Sequence, residues 1–476
     1  MSNHAGQPGT GPDPTEESGG GVVDSPTASN RSLEHIDWLS FGLTTVVLLV
    51  LYSGTLAPEV TLQFSGELST SAGYAGVAHP PGFPVWTLYS WVFVELLPFG
   101  NVAVKAALGS AFATALACGV VALIVSSGGA AILRCNPATA FWKAGDQKLL
   151  RLICGYVGGM ALGLSRVVWQ KAVIVDVWAL STVLFSTMLC LCLGWMARPE
   201  KKRSLYGAGL VFGLLLTSNQ ELLVTVPALL LLVMLTDEGL GRDLSLPVAC
   251  LAVVGGLANA VGLFPGFGYH LPGWYLVVDN MWLLAAFLLI GGGAVLLIVR
   301  TRRFGSEWKP AVLCAVVLSA GFGFCLFLPV ASMTNPPMNW SYPRTTEGFV
   351  HLITRGQYDR PHPTEGLGRL LLQVWMLLKQ TGQGLGWPYL VLGLVPFCAW
   401  RRIDPIIRKW LWGLSALGVC LGPIVVASLN PALDTASMHF IEPYFAVLYL
   451  LVAVCSGLGL VVIGGIIAKP GVPRKA

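Results

Sequence analysis

Charge is what this sequence has least of. Only 11% of its 476 residues are Asp, Glu, Lys or Arg, where a soluble globular domain carries about 25%. With 54% hydrophobic residues and a mean hydropathy of +0.69, the composition excludes an ordinary soluble domain and indicates a polytopic integral membrane protein. The net charge is only +5, and the basic residues are scattered between apolar runs instead of clustering with aromatics, so no nucleic-acid partner is expected. Cysteine is present without arrangement. Ten of the 11 lie in apolar runs, Cys118, Cys190, Cys192, Cys314 and Cys420 among them, and Cys135 lies in a polar connection. There is no CxxC pair, no disulfide framework and no His/Cys cluster at metal-ligand spacing. No metal site is assigned, and dependence on a divalent metal stays open. The basic stretch and short apolar core of a cleavable signal peptide are also missing, so the first apolar run is expected to act as an uncleaved anchor.

Long apolar runs are abundant instead. After residues 1–37, a Gly-, Pro-, Ser- and Thr-rich stretch expected to be a disordered cytoplasmic tail, residues 38–57 form a charge-free run. Later runs centre near Cys118, Met160, Phe185, Phe212, Leu231, Gly255, Phe287, Ala320, Gly393, Gly418 and Val454. Most approach the roughly 20 residues a helix needs to cross about 30 Å of hydrocarbon. The expected fold is all-α, with about 12 transmembrane helices. The runs at 152–165, 204–219 and 222–236 are short and therefore tilted, bent or partly re-entrant. The expected layout is a transmembrane core over 38–330 that includes a first outer loop at 58–105, a long outer loop at 331–385, carboxy-terminal helices over 386–468 and a basic tail at 469–476.

Positive charge tests that count, because one span more or fewer inverts every later connection. With the amino terminus in the cytoplasm, the inner connections hold twenty of the 29 Lys and Arg, and only Lys105, Arg166 and Lys171 fall in short outer segments. Both ends are then cytoplasmic. Outside lie 58–105, turns around Trp169 and Asn219, a loop at 265–280, the long segment 331–384, and 430–442. The first and fifth are long enough to build a site. Each carries an apolar, Trp-bearing stretch too short to span, 84–97 and 369–379, expected to lie in the headgroup plane against membrane lipid; Pro84 suits a helix start. The outer carboxylates nearest the bilayer are Glu59, Glu67, Glu95 and Asp176, and the candidate cations are Arg166, Lys171, Arg344, His351 and Arg355.

Residues 57–119, opening APEVTLQFSGELSTSAGYAGVAHPPGFP, resemble the amino-terminal signature of a membrane family long filed as a domain of unknown function and linked to protein O-mannosyltransferases of the GT-C superfamily. Its pattern reads approximately APT-T-WDSGE, then GVxHPPGYP, then LPFGNxAWRVN. Three further stretches are similar to that family: SRVVWQKAVIVDVWAL with Asp176 and Trp178, the corner Thr217-Ser218-Asn219-Gln220, and the loop carrying Trp340, Gly348, Phe349, His351, Arg355 and Tyr358. The resemblance implies a GT-C-like glycosyltransferase, with mannose as the sugar in the family's name. It would move a sugar from a polyprenyl-phosphate carrier to a protein or glycan acceptor on the outer face, with no cofactor beyond the lipid-linked donor; of bacterial plasma membrane and endoplasmic reticulum, between which the sequence does not decide, the bacterial plasma membrane is the expected location. Such a transfer needs a carboxylate to take the acceptor's proton and cations or hydrogen-bond donors around the departing phosphate; inversion by single displacement needs only one base. The implied base is Glu67 or Glu59. His79, Arg166, Lys171, Arg344 and Arg355 would face the donor phosphate, and Asp176, Asn219, Gln220, Trp340, His351 and Tyr358 the substrates. The sequence departs from the family where its acid precedes Ser-Gly-Glu, a position that holds Phe64, and Asn219 stands in place of a family His.

Structural readings stand beside these roles. Glu67 can cap a helix starting near Ser65, His79 can be a corner residue, Arg344 and Arg355 can order their loop or meet headgroups, and Arg166, Lys171 and Asp176 can be mutual ion partners. The rival function is a twelve-span carrier, opposed by the lack of a repeat relating the two halves and of ionisable residues in mid-span. The other is an inactive relative that binds lipid-linked sugar.

Overall fold

A computed structural model of the chain describes residues 33–136, 139, 142–260, 281–358 and 362–467. The expected amino-terminal tail through residue 32, the outer loop at 265–280 and the basic tail at 469–476 lie outside the described residues. In chain order the helices are α1 (His35–Gly54), α2 (Ser65–Tyr74), α3 (Pro84–Leu96), α4 (Val102–Cys135), α5 (Ala144–Gly163), α6 (Arg166–Ala172), α7 (Trp178–Ala197), α8 (Arg203–Leu216), α9 (Val226–Thr236), α10 (Glu238–Ala260), α11 (Met281–Thr301), α12 (Trp308–Phe322), α13 (Phe327–Met333), α14 (Thr346–Ile353), α15 (Leu367–Thr381), α16 (Trp387–Cys398), α17 (Pro405–Val419), α18 (Val425–Leu429), α19 (Thr435–Ile441) and α20 (Ala446–Ile467). Among the described residues there is no strand, only an isolated parallel bridge between Val77 and Asn339.

Every expected apolar run carries a helix. Among the described residues, eight helical segments are long and apolar enough to cross a membrane, and α5 with α6, bent by 73°, makes a ninth candidate. The runs at 204–219 and 222–236 form shorter helices, Arg203–Leu216 and Gln220–Thr236. One boundary is corrected. The tail ends before residue 37: α1 starts at His35, capped reciprocally by Glu34 and Asp37. The stretch 369–379 lies within α15, which a π-helical turn at Gly382–Gly386 joins to α16, with Gly386 at φ +105° setting the two helices apart.

Burial sorts the spans. The windows of Val102–Cys135 and Thr435–Ile467 are 78% buried within the protein, whereas those of Leu283–Thr301 and Trp308–Met333 are 22% and 28% buried. The first pair is therefore the centre and the second the lipid-facing periphery. α4 is rich in Ala, Gly and Ser along its buried face, and small residues let α1, α5, α7 and α20 pack against it closely, as apolar helices in lipid require. Its start is set by Asn101, whose side chain accepts from the Val104 amide at 2.9 Å.

Ion pairs fix the ends of these helices. Arg151 on α5 donates to Asp37 Oδ1 at 2.7 Å, to the Ser126 carbonyl on α4 at 3.1 Å and to Glu34 at 3.2 Å, and Ser126 Oγ also donates to Asp37. Arg242 and Asp243 bind the connection after α11, through Thr301, Ser306 and the amides of Gly305 and Glu307. Several of the basic residues that mark topology are thus also structural ties. Removing one partner of a buried pair strands the other. Arg151→Met is expected to destabilise the protein by about 3–5 kcal/mol, and the double change with Asp37→Leu by distinctly less, as read from denaturant titration of the detergent-solubilised protein.

Candidate active site

The connection between α1 and α4 is built around a corner. α2 ends at Tyr74 with Ala75 in the left-handed region, which turns the chain so that Gly76 and Val77 run beside residues 338–340. The Val77 amide donates to the Met338 carbonyl at 2.9 Å, and the Trp340 amide donates to the Val77 carbonyl at 3.1 Å. Only glycine fits at 76, because a Cβ there would lie 2.5 Å from the Met338 oxygen. The His79–Gly82 corner follows, closed by the Gly82 amide on the His79 carbonyl at 2.8 Å, with a cis bond between Pro80 and Pro81 and Gly82 at φ +88°. Gly82 is wedged against Leu328 on α13 and Leu352 on α14, in a cluster with Val77, Cys325, Ala331 and Ile353. α3 then starts on Pro84 at its first position.

Glu67 sits in the first turn of α2, but its carboxylate does not cap that helix. Its Oε1 accepts from the His79 amide at 2.5 Å and meets His79 Nδ1 at 2.9 Å. Phe64, in place of the family acid, lays its ring 4.4 Å from the His79 ring centroid at 31°, and Phe83 approaches the imidazole edge-on at 4.9 Å.

His79 faces a cavity of about 1030 Å³. Its walls come from five separate connections: 62–83, 171–178, 218–221, 347–358 and 429–444. These are five of the six segments that the charge pattern puts on one side of the membrane, and the sixth is 265–280. Two kinds of surface meet there. Lys171, Asp176, Asn219, Glu221 and Arg355 are polar, whereas Ile174, Leu429, Phe440, Pro443 and Tyr444 are not.

Apart from Glu347, the acids in and around the cavity are each held by a partner. Lys171 Nζ lies 2.9 Å from Asp176 Oδ2 and 2.9 Å from Gln63 Oε1; the other Asp176 oxygen accepts from the Trp178 amide at 2.7 Å. Arg355 pairs with Glu221 and lies over the Tyr358 ring at 5.1 Å. Arg166 straddles both oxygens of Glu442 at 2.6 and 2.7 Å, and Glu442 also meets His439 Nδ1 at 3.2 Å. Desolvation raises the Tyr358 phenol above its ordinary value against the hydrogen bond of Gln357 and the charge of Arg355, with Glu67 adding to the rise. Tyr358 is therefore a neutral hydroxyl donor at physiological pH.

Of the residues expected at a site, His79, Lys171, Asp176, Asn219, His351, Arg355 and Tyr358 line this cavity together. Glu67 stands behind His79. Glu59 is exposed on the loop before α2 and is not among the lining residues. Arg166 sits behind His439 through Glu442, so the expected trio with Lys171 and Asp176 reduces to the Lys171–Asp176 pair. Arg344 is held by Asn335 at 2.5 Å and lies over Tyr342, Gln220 donates to the Ile353 carbonyl at 2.8 Å, and Trp340 donates to Gln357. These three brace the long segment and are not on the cavity wall. Glu221, Glu347, His439, Phe440 and Tyr444 are on it although no motif singled them out. Glu221 directly follows the Thr217–Gln220 corner, the one signal that points to it.

A helical membrane-type scaffold with an amphipathic cavity assembled from the connections at one end defines the class. The family model described as the protein O-mannosyl-transferase TMEM260 N-terminal domain matches residues 65–240. The chain is 30% identical over 145 residues to the mouse protein O-mannosyl-transferase TMEM260, covering 29% of this chain and 17% of that protein. It is 38% identical over 55 residues to the Dictyostelium discoideum protein of the same name, covering 12% and 7%. The matched stretches are thus a small part of those relatives' length. A crystal structure of the Archaeoglobus fulgidus oligosaccharyltransferase superposes over 92% of this chain and 54% of that one, at 14% identity and a TM-score of 0.31. The resemblance to the protein O-mannosyltransferase-like family read from the HPPG segment is borne out over residues 65–240; residues 340–358 lie beyond that stretch.

The pairing of 76–77 with 338–340 holds one wall of the cavity to another. Gly76→Val is expected to detach the long segment, so that trypsin cleaves after Arg344 several-fold faster than in the parent, while thermal unfolding of the helical bundle changes little.

Proposed function

We propose that this chain is a membrane glycosyltransferase that takes a sugar, mannose by family analogy, from a polyprenyl-phosphate carrier and joins it to a hydroxyl of a protein or glycan acceptor. The observation that carries this reading is the cavity: one space at the end of the helical scaffold offers cations and hydrogen-bond donors beside an apolar wall. A ligand with a phosphate, a sugar and a hydrocarbon chain needs that combination. In this proposal that end is the outer face, in line with the charge pattern, with both termini in the cytoplasm, and the membrane is a bacterial plasma membrane.

In this reading Lys171 and Arg355 hold the donor's phosphate and take up the charge that grows on its oxygens as the bond to the sugar breaks. Asp176 and Glu221 keep those cations in place, each through a direct ion pair. Asn219, His351 and Tyr358 offer hydrogen bonds to sugar or acceptor hydroxyls. The apolar wall of Ile174, Leu429, Phe440, Pro443 and Tyr444 receives the first isoprene units. Attack by the acceptor oxygen on the face opposite the phosphate inverts the anomeric carbon in one displacement and requires one base, which belongs to the Glu67–His79 unit. Arg344, Gln220, Trp340 and Glu59 have no direct part.

Purified protein in detergent, offered a panel of polyprenyl-phosphate sugars with peptide and glycan acceptors, is expected to form product detectable by mass spectrometry. Lys171→Gln and Arg355→Gln each remove a charge-assisted contact, about 1.5–3 kcal/mol, and are expected to raise the donor KM about 10- to 100-fold. Solute uptake into vesicles without sugar transfer would reassign the protein as a carrier, and tight donor binding without transfer as an inactive lipid-sugar binder.

A further inference from the structure

The geometry points to His79, and not to a carboxylate, as the group that takes the acceptor's proton, with Glu67 as its positioning residue; the assignment rests on the transferase reading above. Three observations carry it. First, every carboxylate near the cavity except one is already engaged: Asp176 by Lys171 and the Trp178 amide, Glu221 by Arg355, Glu442 by Arg166 and His439, and Glu67 by two donors of His79. Glu347 alone has no polar partner among the described residues, and it is exposed. Second, His79 is on the cavity wall while Glu67 is not. Third, the contact between them fixes the imidazole's chemistry. An ionised carboxylate only accepts hydrogen bonds, so the Nδ1 that lies 2.9 Å from Glu67 Oε1 carries the proton. In the neutral ring Nε2 then keeps its lone pair.

The Glu67 oxygen also accepts the His79 main-chain amide. One carboxylate thus holds both the backbone and the ring of the same residue, so the imidazole cannot turn without losing a charge-assisted bond. Phe64, tilted 31° to the imidazole, and Phe83, in a T-shaped contact with it, restrict the remaining rotation. A carboxylate orienting a histidine through Nδ1–H while Nε2 does the proton chemistry is the logic of hydrolytic triads. The aromatic at position 64 therefore supports the histidine at a place where the resemblance leads one to expect an acid.

The step balances. The acceptor oxygen's lone pair forms the new bond to the anomeric carbon as the carbon–oxygen bond to phosphate breaks. The bonding pair leaves on the phosphate oxygen, and a phosphodiester monoanion becomes a polyprenyl phosphate dianion. The acceptor's proton passes to His79 Nε2 as its bond pair becomes the acceptor's lone pair. The resulting imidazolium, adjacent to the Glu67 carboxylate, returns the proton to solvent.

The full-length protein is assayed with a polyprenyl-phosphate mannose and the acceptor that gives product with the parent. Donor binding is measured in parallel by calorimetry. His79→Ala and His79→Gln are expected to lower kcat about 10²- to 10⁴-fold with donor Kd within a few-fold of the parent, and added imidazole is expected to restore part of the His79→Ala rate. Glu67→Gln keeps an accepting oxygen and is expected to lower kcat with little change in KM and no response to imidazole. Parental kcat in either His79 variant overturns the assignment, as does a lost rate in folded, donor-binding His79→Ala that imidazole fails to restore. Loss of transfer in Glu347→Gln alongside active His79 variants moves the base to Glu347. A parent that binds no donor and transfers nothing overturns the transferase reading itself, and this assignment with it.

Discussion

A backbone that crosses hydrocarbon must satisfy its own hydrogen bonds, and this requirement governs everything else in the chain. It confines the described spans to helices and expels irregular backbone to their ends. Left-handed residues such as Gln63, Ala75, Phe83 and Arg355 all lie in connections between the spans. Five of those connections meet in one cavity. The site is what remains of the chain's polar capacity once the spans have been made.

Holding such connections in place takes more than proximity. The small-residue face of α4 brings α1, α5, α7 and α20 together, and the ends they present are then joined by specific contacts: Val77 with Met338 and Trp340, the Trp86 indole with the Asp176 carbonyl at 3.0 Å, and the Asn219 amide with Ser181 on α7. Each is a main-chain or fixed side-chain bond between parts of the chain far apart in sequence. The connection between α1 and α4 is therefore a rigid part of the wall, and His79 inherits that rigidity.

Much of this was legible from residue order. Hydropathy alone located the helices, because a span is a local pattern, and Pro84 marked the start of α3 for an equally local reason. The Glu67 and His79 segment stood out through its turn chemistry and its family resemblance. The relations between distant residues did not. Glu221 and Arg355 are 134 positions apart, and Arg166 and Glu442 are 276; no spacing rule connects them, and each acid reads as a lone loop charge until the fold brings its partner. The same reason explains why Glu59, Arg344 and Trp340 looked equivalent to cavity residues. They share composition and neighbourhood with the true wall, and only the direction of the local backbone separates them. Asp37 was misread as part of a tail because its partner Arg151 lies two spans away.

The paired charges of the cavity have a consequence for how an anionic ligand arrives. Since Lys171 and Arg355 each already hold a carboxylate, the pocket presents dipoles instead of a net positive field, and little attraction extends beyond a few ångströms. A phosphate entering it does not fill a vacancy; it exchanges places with, or shares a cation with, a resident acid. Entry of an amphipathic anion then depends first on contact with the greasy wall, with electrostatics acting as a local proofreading step after arrival.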